Sequence, residues 1–417
     1  MNNTTAEIIT IGDEILFGQI TDTNSQWMSA ELDKMGIKTV RKSAIGDLES
    51  EILQIFNEAA DRADIILITG GLGPTKDDIT KKTIAKILND ELIINDHALA
   101  FITDFFTRRG HEMTELNRQQ AAIPSKSTYL HNDSGTAPGM WFIYKGSVFV
   151  SMPGVPHEMK NLMKNEVMPR LKKHFKSPII THKVIGTVGI GESFLAEQIE
   201  EWEDQLPAHI KLAYLPGRGQ VRLRLTGIGD NAEGLSKAID AEIEKVLPQI
   251  EKYVYSLTGE SLPEAVGRLL MDNNSTISLA ESCTGGFASH LFTSISGSSA
   301  YFQGSVVSYA NDIKAKTLGV KEETLETYGA VSEETVKEMA DGVRKLMGTT
   351  YGLATSGVAG PTGGTPEKPV GTVFIAVSSA EKTVCRKLQL TLQRKVNIEY
   401  SSYSVINLLR LIINKQK

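Results

Sequence analysis

The sequence predicts an α/β protein of two or three domains, and three observations carry that reading. The chain has 417 residues, too many for a single hydrophobic core. Residues 6 to about 170, and again those from about 260, alternate short apolar runs with segments of helical period, the pattern of parallel sheets covered by helices. Between them, from about 178 to 255, the order β-α-β-β-α suggests a small α+β module. The expected divisions are 1–172, 178–256 and 260–417, with Ser177-Pro178 and Thr258–Pro263 as linkers.

In the first part, Glu7–Ile11 reads as a strand, Thr23–Met35 as a helix, Lys38–Ala44 as a strand and Glu51–Arg62 as a helix. The run Asp64-Ile-Ile-Leu-Ile-Thr69, entering Gly70-Gly71, suits a strand buried on both faces of a parallel sheet with right-handed crossovers. Val148–Met152 leads through Pro153-Gly154 into another helix from about Pro156. In the middle part, Ile179–Val188, Lys211–Tyr214 and Gln220–Thr226 are strand-like; Glu192–Trp202 and Ala232–Ile250 are helical. In the last part, helices are expected at Leu262–Asp272, Glu333–Met347 and Val396–Ile413. Strands are expected at Thr276–Ala280, Gly304–Tyr309, Tyr351–Ser356 and Gly371–Ser378.

Composition sets limits on function. Hydrophobic residues at 41% and charged residues at 23% are ordinary for a soluble globular protein. No apolar run reaches the length of a membrane span, and the N-terminus has no secretory pattern. Two cysteines, 283 and 385, provide no disulfide framework, so a cytoplasmic setting is expected. A formal charge of −6 argues against general affinity for nucleic acid or anionic membranes.

Two constellations carry chemistry. In Leu279-Ala-Glu-Ser-Cys-Thr-Gly-Gly286, Ser282 follows an apolar strand, while Thr284, Gly285 and Gly286 can open a helix whose free N–H groups would polarise a carbonyl. Tyr309 and Lys314 follow closely, and a Lys desolvated in a pocket can take a serine proton. This is a candidate acyl-transfer or amide-hydrolysis site. The competing account makes Ser282 or Thr284 an ordinary helix cap. Cys283 is a rival nucleophile whose side chain should point away from that of Ser282.

The second constellation is Gly70-Gly-Leu-Gly-Pro-Thr-Lys-Asp-Asp78. Gly71 and Gly73 let backbone approach an anion, Thr75 and Lys76 can contact phosphate, and Asp77 and Asp78 offer hard oxygens to Mg²⁺ or Mn²⁺. It lacks P-loop spacing, and a Gly-Pro turn with a capping Asp is the alternative. Asp13 and Glu14, after the first strand, and Met152–Met159 lie at other strand ends. Asn117 and Arg118 sit on a polar helix face.

Nearly the whole chain resembles the CinA family, bacterial proteins described as competence/damage-inducible. Gly12–Leu16, Gly70–Asp78, Asn132–Gly139 and Met152–Met159 carry the resemblance in the N-terminal half, which is similar to a three-layer molybdopterin-binding fold. Ala280–Gly286, Ser308–Lys314, Gly329–Ser332 and Ser356–Thr372 carry it in the C-terminal half. The middle part is similar to a KH-like fold.

For the N-terminal domain the resemblance implies metal-dependent cleavage of ADP-ribose to AMP and ribose 5-phosphate. The metal would be Mg, Mn or Co, with Asp13, Glu14, Asp77 and Asp78 as candidate ligands and Gly71, Gly73 and Thr75 as substrate contacts. For the C-terminal domain it implies cofactor-free hydrolysis of nicotinamide mononucleotide (NMN) to nicotinate mononucleotide and ammonia. Ser282 would be the nucleophile, Lys314 its base and Tyr309 a proton relay. Thr284, Gly285, Gly286, Ser356, Gly357 and Gly360 would line the substrate pocket, and Arg394 would hold phosphate.

The chain departs from the family at Thr391-Leu-Gln-Arg394, where a Gly usually precedes the Arg; the bulkier turn is expected to be able to displace Arg394. Pro124-Ser-Lys-Ser127 likewise replaces a Gly-containing turn. A molybdopterin-binding role and a competence-related nucleic-acid-binding role remain the alternatives. The second has little support, because the module's long helices are acidic and Gly217-Arg-Gly219 lies between predicted strands, where a hairpin-like turn is the simpler account. The expected assembly is a homodimer, with the middle module as spacer and dimerisation unit.

Overall fold

The computed structural model describes residues 4–73, 75, 78–176 and 178–415. The chain forms two compact units. One takes the chain up to Thr181 together with Ile228–Leu235; the other takes His182–Gly227 and the chain from Ser236.

The first unit is built on a six-stranded sheet ordered Lys38–Ile45, Thr5–Ile11, Ile65–Thr69, Ser147–Met152, Gly139–Tyr144, Thr128–Leu130. The first four strands are parallel; the last two run antiparallel. Every residue of Ile65–Thr69 is buried because its side chains alternate between two cores. Ile65 and Leu67 join Met28, Leu32, Met159 and Leu162 on one face; Ile66 and Ile68 join Ile52, Phe56 and Ile84 on the other. Helices Thr23–Lys34 and Pro156–Leu162 thus cover one face, and Glu49–Ala60 and Thr80–Ile87 the other, giving three layers. Gly70 leaves the central strand at φ +112°, where a Cβ would strike the backbone carbonyl of Ile11. Only glycine lets this loop start so close to the neighbouring strand.

In the second unit, Ile210–Gly217 and Gln220–Gly229 form the expected hairpin, closed by Arg218-Gly219 with Gly219 at φ +69°. The small sheet also includes Ile179–Val188 and Val254–Ser256. This module is tied to the C-terminal part. The buried Arg410 donates to the carbonyls of Val254 (2.6 Å) and Lys252 (3.2 Å), and Arg218 pairs with Glu399.

The C-terminal sheet runs Phe302–Val307, Ile277–Glu281, Tyr351–Gly357, Thr372–Ser378, Thr383–Gln389, the first three parallel and the last two antiparallel. Leu262–Asp272 and Arg394–Asn414 pack on one face and Glu333–Met347 on the other. The strand expected at Gly304–Tyr309 is Phe302–Val307, because pairing of Ile277 with Phe302 and of Glu281 with Val307 fixes its register. Ser308 and Tyr309 therefore stand in the loop beyond the strand. Among the described residues no helix is long and apolar enough to cross a membrane.

Candidate functional site

Three parallel strands of the C-terminal sheet end side by side, and ligands in such sheets gather at the carboxyl ends of the strands. Ser282 N–H donates to the Thr355 carbonyl (3.0 Å), and Ser308 N–H to that of Glu281 (2.8 Å). This brings Ser282, Tyr309 and Ser356 to one edge. Lys314, in helix Asn311–Leu318, reaches the same place. It is 1% exposed, donates to the carbonyls of Ser308 (2.7 Å) and Tyr309 (3.3 Å), and lies 3.1 Å from Ser282 Oγ. Burial pushes the Lys314 ammonium below the ordinary lysine range. The adjacent Cys283 is buried too, and burial holds its thiol up at about 12, so it stays protonated.

The residue that shapes this turn is Glu281, which the sequence reading passed over. Its carboxylate is fully buried. It accepts from the N–H groups of Gly286 (3.0 Å), Ala288 (3.1 Å) and Ser289 (2.8 Å) and from the hydroxyls of Thr284 (2.6 Å) and Ser289 (2.5 Å). Glu281 thereby does the work of a cap for helix Phe287–Thr293 and leaves the Ser282 hydroxyl to Lys314. Two expectations change as a result. The first-turn N–H groups of Gly286, Ala288 and Ser289 are taken by Glu281 and are not offered to a substrate carbonyl. The Thr284 hydroxyl points inward, to Glu281 and to Thr355 (2.7 Å), because the buried carboxylate needs donors. Gly285 and Gly286, at φ +60° and +100°, make the turn. Ser356, also buried, donates its hydroxyl proton to the Ala330 carbonyl (2.6 Å) and so draws in the Gly329–Ser332 segment.

Arg394 opens the last helix. Its Nη1 donates to the Gly360 carbonyl (3.1 Å) and its Nη2 to the Tyr309 hydroxyl (3.0 Å), while Tyr309 is 62% exposed at the mouth of the site. The glycine-free turn before it has not carried Arg394 away from Tyr309. The buried Asn397 holds that turn by accepting from Thr391 N–H (3.1 Å) and donating to the Thr391 carbonyl (2.8 Å). Gly357 ends the strand Tyr351–Gly357.

In the first unit, a cleft of about 540 Å³ opens at the carboxyl ends of the parallel strands. Glu14, Asp47, Asp78 and Glu158 bring carboxylates to it, and Gly71 and Gly73 form part of its wall. Asp13 donates its N–H to Asp47 (3.3 Å). The Asp47 carboxyl is raised above the usual range, first by burial and then by the charges of Asp13, Glu14 and Asp78. Asp78 accepts from Gly73 N–H (2.8 Å), Thr75 N–H (2.9 Å) and the Thr75 hydroxyl. Thr75 is thus committed to closing its own loop rather than left open to phosphate. The Lys76 and Asp77 assignments lie outside the described residues. Among the described residues no three acidic, His or Cys side chains converge as a ready metal site. Asn117 and Arg118 are not among the described lining residues; the nearby Gln120 is. The adjacent Lys81, 7% exposed, donates to the Gln120 carbonyl (3.1 Å), and burial lowers its ammonium to about 8.

Residues 7–173 match the family described as Probable molybdopterin binding domain. Residues 182–256 match the Damage-inducible protein CinA KH domain, and residues 259–413 the CinA C-terminal domain. A CinA-like protein of Cytophaga hutchinsonii is 54% identical over 99% of this chain and 99% of its own length. The chain belongs to the CinA family. A CinA-like protein of Flavobacterium psychrophilum is 45% identical over 94% of this chain and 95% of its own. The crystal structure of a CinA protein from Thermoplasma acidophilum, 33% identical, covers 42% of this chain and 99% of that one, with a TM-score of 0.37.

In this CinA chain Asp47 and Asn397 lie outside the motifs singled out in the sequence, and Glu281 lies inside one without a role assigned to it. Asp47 follows its strand in an unremarked Gly-Asp-Leu, and Asn397 is one polar residue in a helix. Only Glu281 left a trace, as a carboxylate at the end of an apolar strand where every other strand residue is apolar or Ser.

Proposed function

We propose that the C-terminal domain hydrolyses the amide of NMN to nicotinate mononucleotide and ammonia. The observation that carries this reading is the buried Lys314 Nζ, 3.1 Å from Ser282 Oγ and bonded to two backbone carbonyls. A neutral lysine amine has two N–H groups and one lone pair. The carbonyls of Ser308 and Tyr309 take the two N–H groups, which leaves the lone pair for the Ser282 proton. Ser282 Oγ attacks the carboxamide carbon as its proton passes to Lys314. The tetrahedral adduct breaks its C–N bond, and ammonia leaves with a proton returned through Lys314 and Tyr309. Water then attacks the acyl-serine ester, gives its proton to Lys314, and releases nicotinate mononucleotide with Ser282 restored. Arg394 is the phosphate partner, its planar guanidinium already at the mouth of the site.

The test is ammonia release from NMN by the chelator-treated parent and by Ser282→Ala. Release by the parent and its loss in the variant support the proposal; equal release by both, or none by the parent, sinks it.

For the N-terminal cleft, the carboxylates of Glu14, Asp47, Asp78 and Glu158 gathered at its wall favour a second activity, metal-dependent hydrolysis of ADP-ribose to AMP and ribose 5-phosphate. Glu14, Asp47 and Asp78 bring hard oxygens to the cleft wall without converging as a preformed site, so a bound Mg²⁺, Mn²⁺ or Co²⁺ would have to draw them together. Such an ion supplies a Lewis acid and a more acidic water. The chain's own part is to present those carboxylates and to admit the diphosphate past Gly71 and Gly73. AMP release that depends on added metal is the expected result; tight molybdopterin binding without turnover would favour the alternative.

A further inference from the structure

We infer that Asn397 is a positioning residue for the substrate phosphate, acting through Arg394. The identity of the phosphate's owner rests on the NMN reading above; the placement of Arg394 does not.

Asn397 is fully buried in the first turn of helix Arg394–Asn414, and its amide uses all four of its hydrogen-bonding positions. Oδ1 accepts from the Thr391 N–H and hydroxyl, both at 3.1 Å. Nδ2 donates to the carbonyls of Thr391 (2.8 Å) and Ala359 (2.9 Å). One side of this clamp holds the turn that delivers Arg394; the other holds the residue just before Gly360. Arg394, carried by that turn, bonds to Gly360 beside Ala359 and reaches a third segment at the Tyr309 hydroxyl.

Packing does not hold the turn. Thr391, Leu392 and Gln393 are all exposed, Leu392 by 75%. The turn's remaining side-chain support is Thr391 Oγ1, which accepts from Gln393 N–H (3.1 Å) and is itself bonded to Asn397. A guanidinium that must meet a phosphate bidentately tolerates displacements of only about 0.5 Å. The first turn of the helix therefore needs this internal clamp, and a glycine-free sequence keeps Arg394 in place because Asn397 supplies it.

The experiment compares the parent, Arg394→Ala, Asn397→Leu, the double variant and the milder Thr391→Val, whose side chain lies at the surface. With NMN, Asn397→Leu is expected to raise KM about tenfold while kcat stays within about threefold. Thr391→Val should move KM the same way by less. The preference for NMN over nicotinamide riboside, which lacks the phosphate, should fall in both. The double variant should be no worse than Arg394→Ala alone, because Asn397 acts through that arginine. Multiplying effects in the double variant, or loss of kcat at unchanged KM, overturn the inference. A second measurement needs no substrate: the rate at which phenylglyoxal modifies Arg394, read by peptide mass spectrometry. It should rise in Asn397→Leu, and equal rates overturn the inference. If the parent releases no ammonia from NMN, the amidohydrolase proposal fails and the modification rate alone decides the role of Asn397.

Discussion

The two clefts treat their carboxylates in opposite ways. Beside Ser282, Glu281 is fully buried and surrounded by five donors from the turn it organises. In the N-terminal cleft, among the described residues, Asp47 has one long N–H bond and the carboxylates of Asp13, Glu14 and Asp78 for neighbours. The first charge belongs to the architecture, since nothing is left over for a ligand. The second is under-compensated, and a cleft of that kind gains free energy from any cation it takes up. A site for proton chemistry can thus be complete within the chain, whereas the activity proposed for the other cleft would draw on a cation from outside it.

The largest effect that sharpens this comparison is expected at Lys314. Lys314→Met should lower kcat for ammonia release by roughly 10³-fold or more, and the Ser282→Ala/Lys314→Met double variant should fall no further, because the two groups act as one unit. The pH profile gives the sign. Only neutral Lys314 accepts the serine proton, so kcat/KM should rise with pH. Its rising limb should have a midpoint below the ordinary lysine value, since burial favours the neutral amine. Cys283, held protonated to about 12, does not supply that limb. A flat profile, or a double variant much slower than either single one, would break the pairing of Ser282 with Lys314.

Glu281 comes next. Glu281→Leu leaves three N–H groups and two hydroxyls without their acceptor, in a place water does not reach. The expected cost is about 3–5 kcal/mol, the scale on which removing one partner of a buried charged network destabilises a protein. Calorimetry should show a clear fall in Tm. Glu281→Gln, which retains one acceptor oxygen, should fall less. Unchanged melting in both would mean that the turn is held by its glycines alone.

These two residues also show what was legible in the sequence. Lys314 and Ser282 could be singled out because a nucleophile after a strand and a lysine after the next one are chemically unusual. Their meeting follows from strands Ile277–Glu281 and Phe302–Val307 lying side by side. The α/β layering was legible for a similar reason: runs such as Ile65–Thr69 must be buried on both faces. What could not be read was which hydrogen bonds would be spent internally. Thr284 and Thr75 have the residue type of ligand contacts, yet each satisfies a neighbouring carboxylate instead. The edge strand Thr383–Gln389 escaped notice because it is half polar and exposed, and tertiary pairing rather than alternation defines it. Asp47 and Asn397 matter through partners distant in sequence or geometry, and single residue types carry no signal of that.

The smallest effect tests the contrast most directly, because its sign should be the reverse of that at Glu281. Asp47→Asn keeps an oxygen that can accept the Asp13 N–H but removes one of the charges that repel each other across the cleft. Without metal the variant should be slightly more stable than the parent, by less than about 1 kcal/mol given how much of the group is exposed to solvent. The gain should shrink as pH falls. The Asp47 carboxyl is raised above the usual range, chiefly by burial, and below its pKa the parent has lost the same charge. Added Mn²⁺ should reverse the order of stability, raising the Tm of the parent more than that of Asp47→Asn, since a ligand that binds only the folded state stabilises in proportion to its affinity. A lower Tm for Asp47→Asn in chelator would mean that the carboxylate, like that of Glu281, is held by donors rather than opposed by neighbours, and the two clefts would then differ in shape but not in electrostatic design.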